Sequence, residues 1–255
     1  MLSISFLQFD LSWESPVDNC LKIDTLLDTC KPETDLIVLP EMFSTGFTMN
    51  SAELAEDMAG ETIHWLRNNA RKWNAVFTGS IIVEEDAHYY NRLIWMMPDG
   101  KLQYYDKKHL FRMGKEHQVF TAGSEKLFVK YKGWRFRPLI CYDLRFPVWS
   151  RNRNDYDMLI YIANWPESRR EVWKTLLIAR ALENQCYVLG VNRIGTDANG
   201  ISYSGDSMII DPRGKLLSNS KPYTESLETV IISLDELQDF REKFPVHLDA
   251  DEFSI

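Results

Sequence analysis

Three short apolar runs constrain the fold of this 255-residue chain more than any other feature. They lie within 35–39, 134–140 and 157–163, and each leads into a polar loop. Nearly continuous apolar strands are typical of a sheet that is covered on both faces. Because helical patterns alternate with strands early in the chain and hairpins follow in the middle, the sequence predicts an α/β layered domain with a mixed sheet.

Local patterns place the individual elements. Ser15 and Pro16 predict the start of a helix, with Ser15 as its N-cap, and its apolar face comprises Val17, Leu21, Ile23, Leu26 and Leu27. Further helices are predicted over 61–73 and 171–184, and the broad apolar surface of the second predicts a position between layers or in a subunit interface. The first strand alternates apolar and polar residues, which predicts half-burial. The predicted strands are 1–10, 35–39, 75–83, 89–97, 101–105, 126–131, 134–140, 157–163, 187–192, 204–210 and 229–233.

Composition narrows the class of protein. With 45% hydrophobic residues and no repeat or linker, residues 1–255 are expected to form a single domain, with 240–255 as a C-terminal tail. The net charge of −8 and the lack of a basic run argue against nucleic acid and anionic membranes as partners. No apolar run approaches the roughly 20 residues that span a bilayer, and no secretion signal is evident. Four scattered cysteines predict neither a disulfide framework nor a structural zinc site, which favours a reducing cytoplasm.

Polar residues at the ends of predicted strands are the candidate functional residues. Glu41, Cys141 and Asn164 each follow an apolar strand, and such ends collect at one edge of an open α/β sheet. Lys107 and its neighbours follow a fourth predicted strand, 101–105. Taken singly, these residues favour ordinary roles: an inert buried thiol, a solvated glutamate, an exposed lysine pair, and a structural rather than catalytic His109.

Five sequence motifs, taken together, favour a catalytic role over these ordinary ones. In chain order they are LPEMF at 39–43, YDKKHLF at 105–111, ICYDLRFP at 140–147, RALENQ at 180–185 and GDSMIIDPRG at 205–214. Together they resemble the nitrilase (carbon–nitrogen hydrolase) superfamily, whose pattern they follow over nearly the whole chain. This resemblance implies a four-layer α-β-β-α sandwich with two mixed sheets.

The resemblance also implies catalytic roles. Glu41 would be the general base, Cys141 the nucleophile, and Lys107 the catalytic lysine, since it stands two residues before His109 as in the family pattern. Glu116 matches a second family glutamate. The chemistry is consistent, because a free thiol with a pKa of about 8.5 needs a base or a cation beside it. No cofactor and no metal are expected.

The substrate is implied by a narrower resemblance to bacterial omega-amidases, carried by residues 42–47, 164–169 and 240–253. It suggests hydrolysis of the terminal amide of short dicarboxylate monoamides such as 2-oxoglutaramate or 2-oxosuccinamate. A far carboxylate needs a cation, for which Arg169 is favoured. For Arg145 the alternative is a structural salt bridge with Asp143 or a neighbour. The remaining predicted substrate contacts are Tyr142, Trp165 and Phe43.

Other interpretations stay open at this point. A nitrilase, a general aliphatic amidase or a carbamoylase would use the same catalytic residues, and a non-catalytic scaffold would keep the same fold. Family members commonly pair their subunits, so a homodimer or higher homo-oligomer is expected.

Overall fold

A computed structural model of the chain describes residues 1–251. The last part of the predicted tail, residues 252–255, lies outside the described residues. The first part of that tail, from residue 240, continues a helix that ends at Lys243. Residues 1–251 form the four-layer α/β sandwich with two mixed sheets that the resemblance implied.

The strands form two large sheets and one small one. Their bounds are β1 Leu2–Gln8, β2 Leu36–Val38, β3 Val76–Glu85, β4 His88–Met96, β5 Leu102–Asp106, β6 Val129–Tyr131, β7 Trp134–Ile140, β8 Met158–Ala163, β9 Tyr187–Asn192, β10 Ile194–Thr196, β11 Ser202–Ser204, β12 Met208–Ile210 and β13 Ser226–Ile232. The first sheet has the order β13-β1-β2-β3-β4-β5, and the second has the order β12-β9-β8-β7-β6. The strands β10 and β11 form a separate hairpin.

Strand direction decides where the sheets present their carboxyl ends. In the first sheet, β1, β2 and β3 are parallel, and two antiparallel steps through β4 return β5 to the same direction. In the second sheet, β7, β8 and β9 are parallel. The ends of β2 and β5 therefore lie at one edge of the first sheet, and those of β7 and β8 at one edge of the second.

Helices cover the outer faces of both sheets. Their bounds are α1 Pro16–Cys30, α2 Ser51–Leu54, α3 Glu61–Trp73, α4 Glu116–Val119, α5 Pro147–Ser150, α6 Arg170–Asn184 and α7 Leu234–Lys243. Short 3-10 turns lie at Arg112–Gly114, Cys141–Arg145, Glu167–Arg169 and Val246–Asp249. No helix within residues 1–251 has both the length and the apolar character needed to span a membrane.

The packing explains the four layers. Between the sheets, the rings of Trp95 and Phe136 lie 5.1 Å apart. Ile23 of α1 and Leu66 of α3 pack on the opposite face of the first sheet. On the second sheet, α6 approaches β9 at Gly190, where a Cβ would lie 2.4 Å from Leu177 Cδ1. Only a glycine permits that approach, because an added Cβ would collide with the helix.

Three local predictions are corrected. β1 is almost wholly buried rather than half-buried, because its Ser5 pairs with Thr229 of β13 instead of facing water. α1 begins at Pro16 as predicted, but the Ser15 hydroxyl donates to Asp18 and does not cap the helix. Val17 and Leu21 are exposed and do not belong to its buried face.

The predicted strand 204–210 is wrong as a single element. The structure divides it between β11 and β12, which belong to different sheets. Gly205 and Asp206 both have positive φ angles, of 75° and 57°, and this conformation turns the chain between the two strands.

Candidate active site

The predicted strand ends meet at one cavity. Lys107 directly follows β5, Cys141 directly follows β7, and Glu41 follows β2 after two residues. All three line a cavity of about 620 Å³, together with Asn164, which directly follows β8. The carboxyl edges of both sheets therefore contribute to a single site.

Lys107 lies between two carboxylates. Its Nζ is 2.7 Å from Glu41 Oε1 and 3.0 Å from both carboxylate oxygens of Glu116. The three side chains are at most 1% exposed. Asn91 in β4 donates from Nδ2 to Glu41 Oε1 at 2.8 Å and to Glu116 Oε1 at 3.2 Å. Glu116, which the family resemblance implied as a second glutamate of the site, is thus a direct partner of Lys107.

The charges in this cluster determine the protonation of its members. Burial opposes the charge of Lys107, but the negative charges of Glu116 and Glu41 outweigh it and raise the pKa of Lys107. Lys107 therefore stays cationic at neutral pH. Burial raises the pKa of Glu116, while the charge of Lys107 limits that rise.

Cys141 occupies a strained turn at the start of the Cys141–Arg145 3-10 turn. Its φ angle is 42°, a conformation that residues with a side chain adopt infrequently and that often marks functional sites. The thiol is buried, and its Sγ lies 4.0 Å from the carbonyl oxygen of Asn164. Burial and the charge of Glu41 raise the pKa of Cys141, whereas the charge of Lys107 lowers it; the net effect is a rise. The resting side chain of Cys141 is therefore a protonated thiol, which would need a base in order to act as a nucleophile.

Asn164 joins the two sheets at the site. Its backbone N–H donates to Glu41 Oε2 at 2.8 Å, and its Nδ2 donates to the Glu41 carbonyl oxygen at 2.6 Å. Met42, the next residue, also has a positive φ angle of 43°, and its N–H is held by Ser80 Oγ. These contacts fix the Glu41 carboxylate on the side of the cavity that faces the second sheet.

Asp143 fixes the Cys141 turn against the Lys107 loop. Its Oδ2 accepts hydrogen bonds from Ile140 N at 3.0 Å and Tyr105 Oη at 2.8 Å. Its Oδ1 accepts from the backbone N of His109 at 3.0 Å and lies 2.7 Å from His109 Nδ1. His109 also stacks on Phe146, with ring centroids 3.8 Å apart. His109 is therefore a structural residue, as the sequence favoured.

Four of the five predicted substrate contacts line the cavity, namely Tyr142, Arg145, Trp165 and Arg169. Phe43 does not, and its predicted contact with substrate is corrected to a packing role. It is fully buried in the core beneath α3, where its ring lies 5.8 Å from that of Trp65. It lies there because Gly79 leaves no Cβ in the space that the Phe43 ring fills.

The two candidate arginines differ in their surroundings. The Arg145 guanidinium lies over the Trp165 ring at 5.2 Å, and that of Arg169 lies over the Phe111 ring at 5.4 Å. Within residues 1–251 neither forms an ion pair. The salt bridge considered for Arg145 is absent from that part of the chain, because Asp143 is saturated by other donors. Both cations remain available to an anionic ligand.

Sequence reasoning missed several residues of the site. Asn91 carried no distinctive signal, because it stands beside the charged Arg92 in the predicted strand. Further residues that line the cavity belong to segments with no motif of their own. They include Trp13, Glu14, Thr48, Asn50, Asp197 and Tyr203.

Comparisons with known proteins give related families and structures. Residues 8–242 match the sequence profile of the carbon-nitrogen hydrolase family. The omega-amidase YafV of Escherichia coli is 43% identical over 256 residues, covering 100% of this chain and 98% of that protein. The 2-oxoglutaramate amidase of Bacillus subtilis is 36% identical, covering 96% of this chain and 95% of its own. A solved CN-hydrolase superfamily protein of Xanthomonas campestris, which has an arsenic adduct in its active site, is 44% identical with a TM-score of 0.97, covering 100% of this chain and 98% of that one.

Proposed function

The chain belongs to the carbon–nitrogen hydrolase family and is an amide-hydrolysing enzyme, and we propose that it acts as an omega-amidase through Cys141. The observation that supports this most is the Lys107 ammonium, buried between Glu41 and Glu116 beside a thiol in the same cavity. The proposed substrates are short dicarboxylate monoamides such as 2-oxoglutaramate or 2-oxosuccinamate.

The first half-reaction forms a thioester. Glu41 takes the thiol proton as Cys141 Sγ bonds to the amide carbon, and the carbonyl electrons move to the oxygen. In this scheme Lys107 Nζ and the backbone N–H of Tyr142 stabilise that oxyanion. The Tyr142 N–H lies in the first turn after Cys141, where amide groups lack an intrahelical acceptor. One such donor typically contributes about 3–4 kcal/mol to transition-state stabilisation.

The second half-reaction reuses the same groups. When the C–N bond breaks, Glu41 returns its proton to the nitrogen and ammonia leaves. Glu41 then takes a proton from water as the water oxygen attacks the thioester carbon, and the sulfur departs with its proton restored. Glu116 holds Lys107 in place through both steps, since it accepts from Nζ with both oxygens.

A substrate panel tests the substrate class. Omega-amides, simple aliphatic amides, carbamoyl compounds and nitriles would be compared by the ammonia that each releases. The proposal requires the highest kcat/KM for an omega-amide that carries a far carboxylate. A preference for nitriles or carbamoyl compounds would favour a different activity of the same family.

Replacing Arg169 by alanine is expected to raise KM for 2-oxoglutaramate roughly 10- to 100-fold, the range for loss of a charge-assisted hydrogen bond. KM for an uncharged amide of the same length should change little. Arg145→Ala, measured in parallel, decides between the two cavity arginines. Arg112→Ala is the matched control, because Arg112 is exposed near the cavity and does not line it. Equal effects of Arg169→Ala on the charged and uncharged amides would contradict the assignment.

We also propose that the chain forms a homodimer through α6, in a reducing cytoplasm. Ile178 and Leu182 of α6 are 37% and 50% exposed, although the same helix buries Trp173 and Leu177 against the second sheet. Exposed apolar groups of this kind favour a protein partner. The four cysteines are all free, as expected where thiols stay reduced.

Substituting glutamate for both Ile178 and Leu182 is expected to convert a dimer to a monomer in sedimentation equilibrium. Leu21→Glu is the control, because Leu21 is similarly exposed on α1 in the other helical layer. A wild-type monomer, or a double variant that stays dimeric, would contradict this interface.

A further inference from the structure

The β10–β11 hairpin contributes a hydrogen-bonded pair to the wall of the cavity. Asp197 follows β10, Tyr203 lies in β11, and both line the cavity that contains Cys141. They are 7% and 2% exposed. The Tyr203 hydroxyl lies 2.8 Å from Asp197 Oδ2. The catalytic steps described above use neither residue.

Asp197 determines whether that hydroxyl donates or accepts a hydrogen bond. Its other oxygen, Oδ1, accepts hydrogen bonds from Asn199 N at 2.9 Å and from Ile201 N at 3.0 Å. A carboxylate only accepts, so the Tyr203 O–H must donate to it. Burial and the hydrogen bond to Asp197 raise the pKa of Tyr203, which keeps the hydroxyl protonated. With its proton committed, the Tyr203 oxygen can offer only lone pairs to a ligand.

The Tyr203 ring is also held in place. The Arg193 guanidinium lies 4.8 Å from its centroid, and this arginine is fully buried with its Nη2 bonded to Asp10 at 2.7 Å. Tyr203 and Cys141 line the same cavity. That cavity therefore contains a rigid hydrogen-bond acceptor as well as the Cys141 thiol.

An amide substrate needs such an acceptor. In the proposed reaction the amide oxygen meets Lys107 and the Tyr142 N–H, while Glu41 exchanges a proton with the nitrogen. The two N–H groups of a primary amide then enter a partly enclosed cavity, and a donor that is buried there without a partner weakens binding.

We propose that Tyr203 accepts a hydrogen bond from the NH2 group of the scissile amide, and that Asp197 is the positioning residue that leaves the Tyr203 oxygen as an acceptor. The inference rests on the proposed hydrolysis at Cys141. As the S–C bond forms and the C–N bond breaks, the nitrogen takes the Glu41 proton and leaves as ammonia, still donating to Tyr203. The contact selects a leaving group that carries N–H over one that does not.

Comparing an amide with an ester tests the selection directly. Glutaramate and the mono-p-nitrophenyl ester of glutaric acid share an acyl group and a thioester, but only the amide leaving group carries N–H. For Tyr203→Phe, kcat/KM for the amide is expected to fall roughly tenfold, the effect of one lost hydrogen bond. Because kcat/KM reports the steps up to acylation, ester turnover should stay within about twofold of wild type.

Asp197→Asn offers a second, independent test. The Asn oxygen must keep accepting from the two backbone N–H groups, so its NH2 would face Tyr203 and donate to it. The Tyr203 O–H would then turn toward the cavity and meet the substrate NH2 donor to donor. A loss at least as large as that of Tyr203→Phe is expected for the amide, with ester turnover retained.

The possible outcomes distinguish a failure of the Tyr203 proposal from a failure of the proposed hydrolysis at Cys141. Retained ester turnover shows in each variant that the protein is folded and the thiol active. Equal losses on amide and ester, or no loss on the amide, would overturn the role of Tyr203. If wild-type ester turnover were absent or survived Cys141→Ala, the proposed nucleophile would fail instead. If Tyr203→Phe lost activity on the amide only, while Asp197→Asn kept wild-type activity on both substrates, the role of Asp197 would be overturned.

Discussion

Alanine in place of Cys141 is expected to abolish ammonia release from 2-oxoglutaramate and leave the fold intact. In the proposed mechanism the Cys141 sulfur is the atom that forms the thioester, and no other cysteine lines the cavity within residues 1–251. Loss of a covalent nucleophile commonly lowers kcat by about 10⁶-fold, which places the variant near the detection limit of the assay. Removing one sulfur beside an open cavity of about 620 Å³ should affect stability much less.

The measurement is ammonia release together with thermal unfolding. Cys186→Ala is the matched control, since Cys186 is also buried but directly precedes β9, at the opposite end of the parallel strands from the cavity, and does not line it. Cys20 and Cys30 should likewise be dispensable for turnover. Activity of Cys141→Ala within tenfold of wild type would contradict the nucleophile.

The positions of the site residues were predictable because backbone direction determines them. A parallel strand that is buried on both faces reads as an apolar run, and its end delivers the next polar residue to the edge of the sheet. On this basis the sequence predicts that Glu41, Cys141 and Asn164 lie close together, and in the structure all three line one cavity. Lys107 was harder, because β5 returns to the common direction only through the antiparallel β4.

The residues that sequence reasoning missed act through long-range contacts. Asn91 bridges Glu41 and Glu116 from the middle of β4, where a polar side chain could equally face water. Asp143 was considered as a partner for Arg145, but the fold presents it to Tyr105 and His109, which are 38 and 34 residues away in the chain. Such contacts depend on which strands become neighbours, and local patterns do not specify that.

Phe43 shows that a residue within a motif of the site can lie outside the site. It follows Glu41 by two residues, and its motif implied a contact with substrate. However, the positive φ angle of Met42 turns the chain and directs the aromatic ring into the core beneath α3. Two residues of one motif can therefore serve catalysis and packing separately, and only the backbone conformation between them decides which does which.

Exchanging Glu41 for glutamine is expected to have opposite effects on turnover and on thiol alkylation. The amide of glutamine keeps the shape of the side chain but cannot take the thiol proton, so kcat should fall by about 10²–10⁴-fold, the contribution typical of a general base. The charge of Glu41 raises the pKa of Cys141, second only to burial, while the charge of Lys107 lowers it. Removing the Glu41 charge should therefore lower the thiol pKa and increase the thiolate fraction at a given pH.

Iodoacetamide labelling of Cys141 as a function of pH, measured beside ammonia release, separates these two effects of Glu41. The labelling curve of Glu41→Gln should move to lower pH relative to wild type, although the same variant turns over far less amide. Glu116→Gln is the comparator, because the charge of Glu116 also raises the thiol pKa but ranks below those of Glu41 and Lys107. It should shift labelling in the same direction by less, and lower turnover by less, since Glu116 positions Lys107 and does not carry the thiol proton. A Glu41→Gln curve that moved to higher pH, or turnover within tenfold of wild type, would show that Glu41 is not the base.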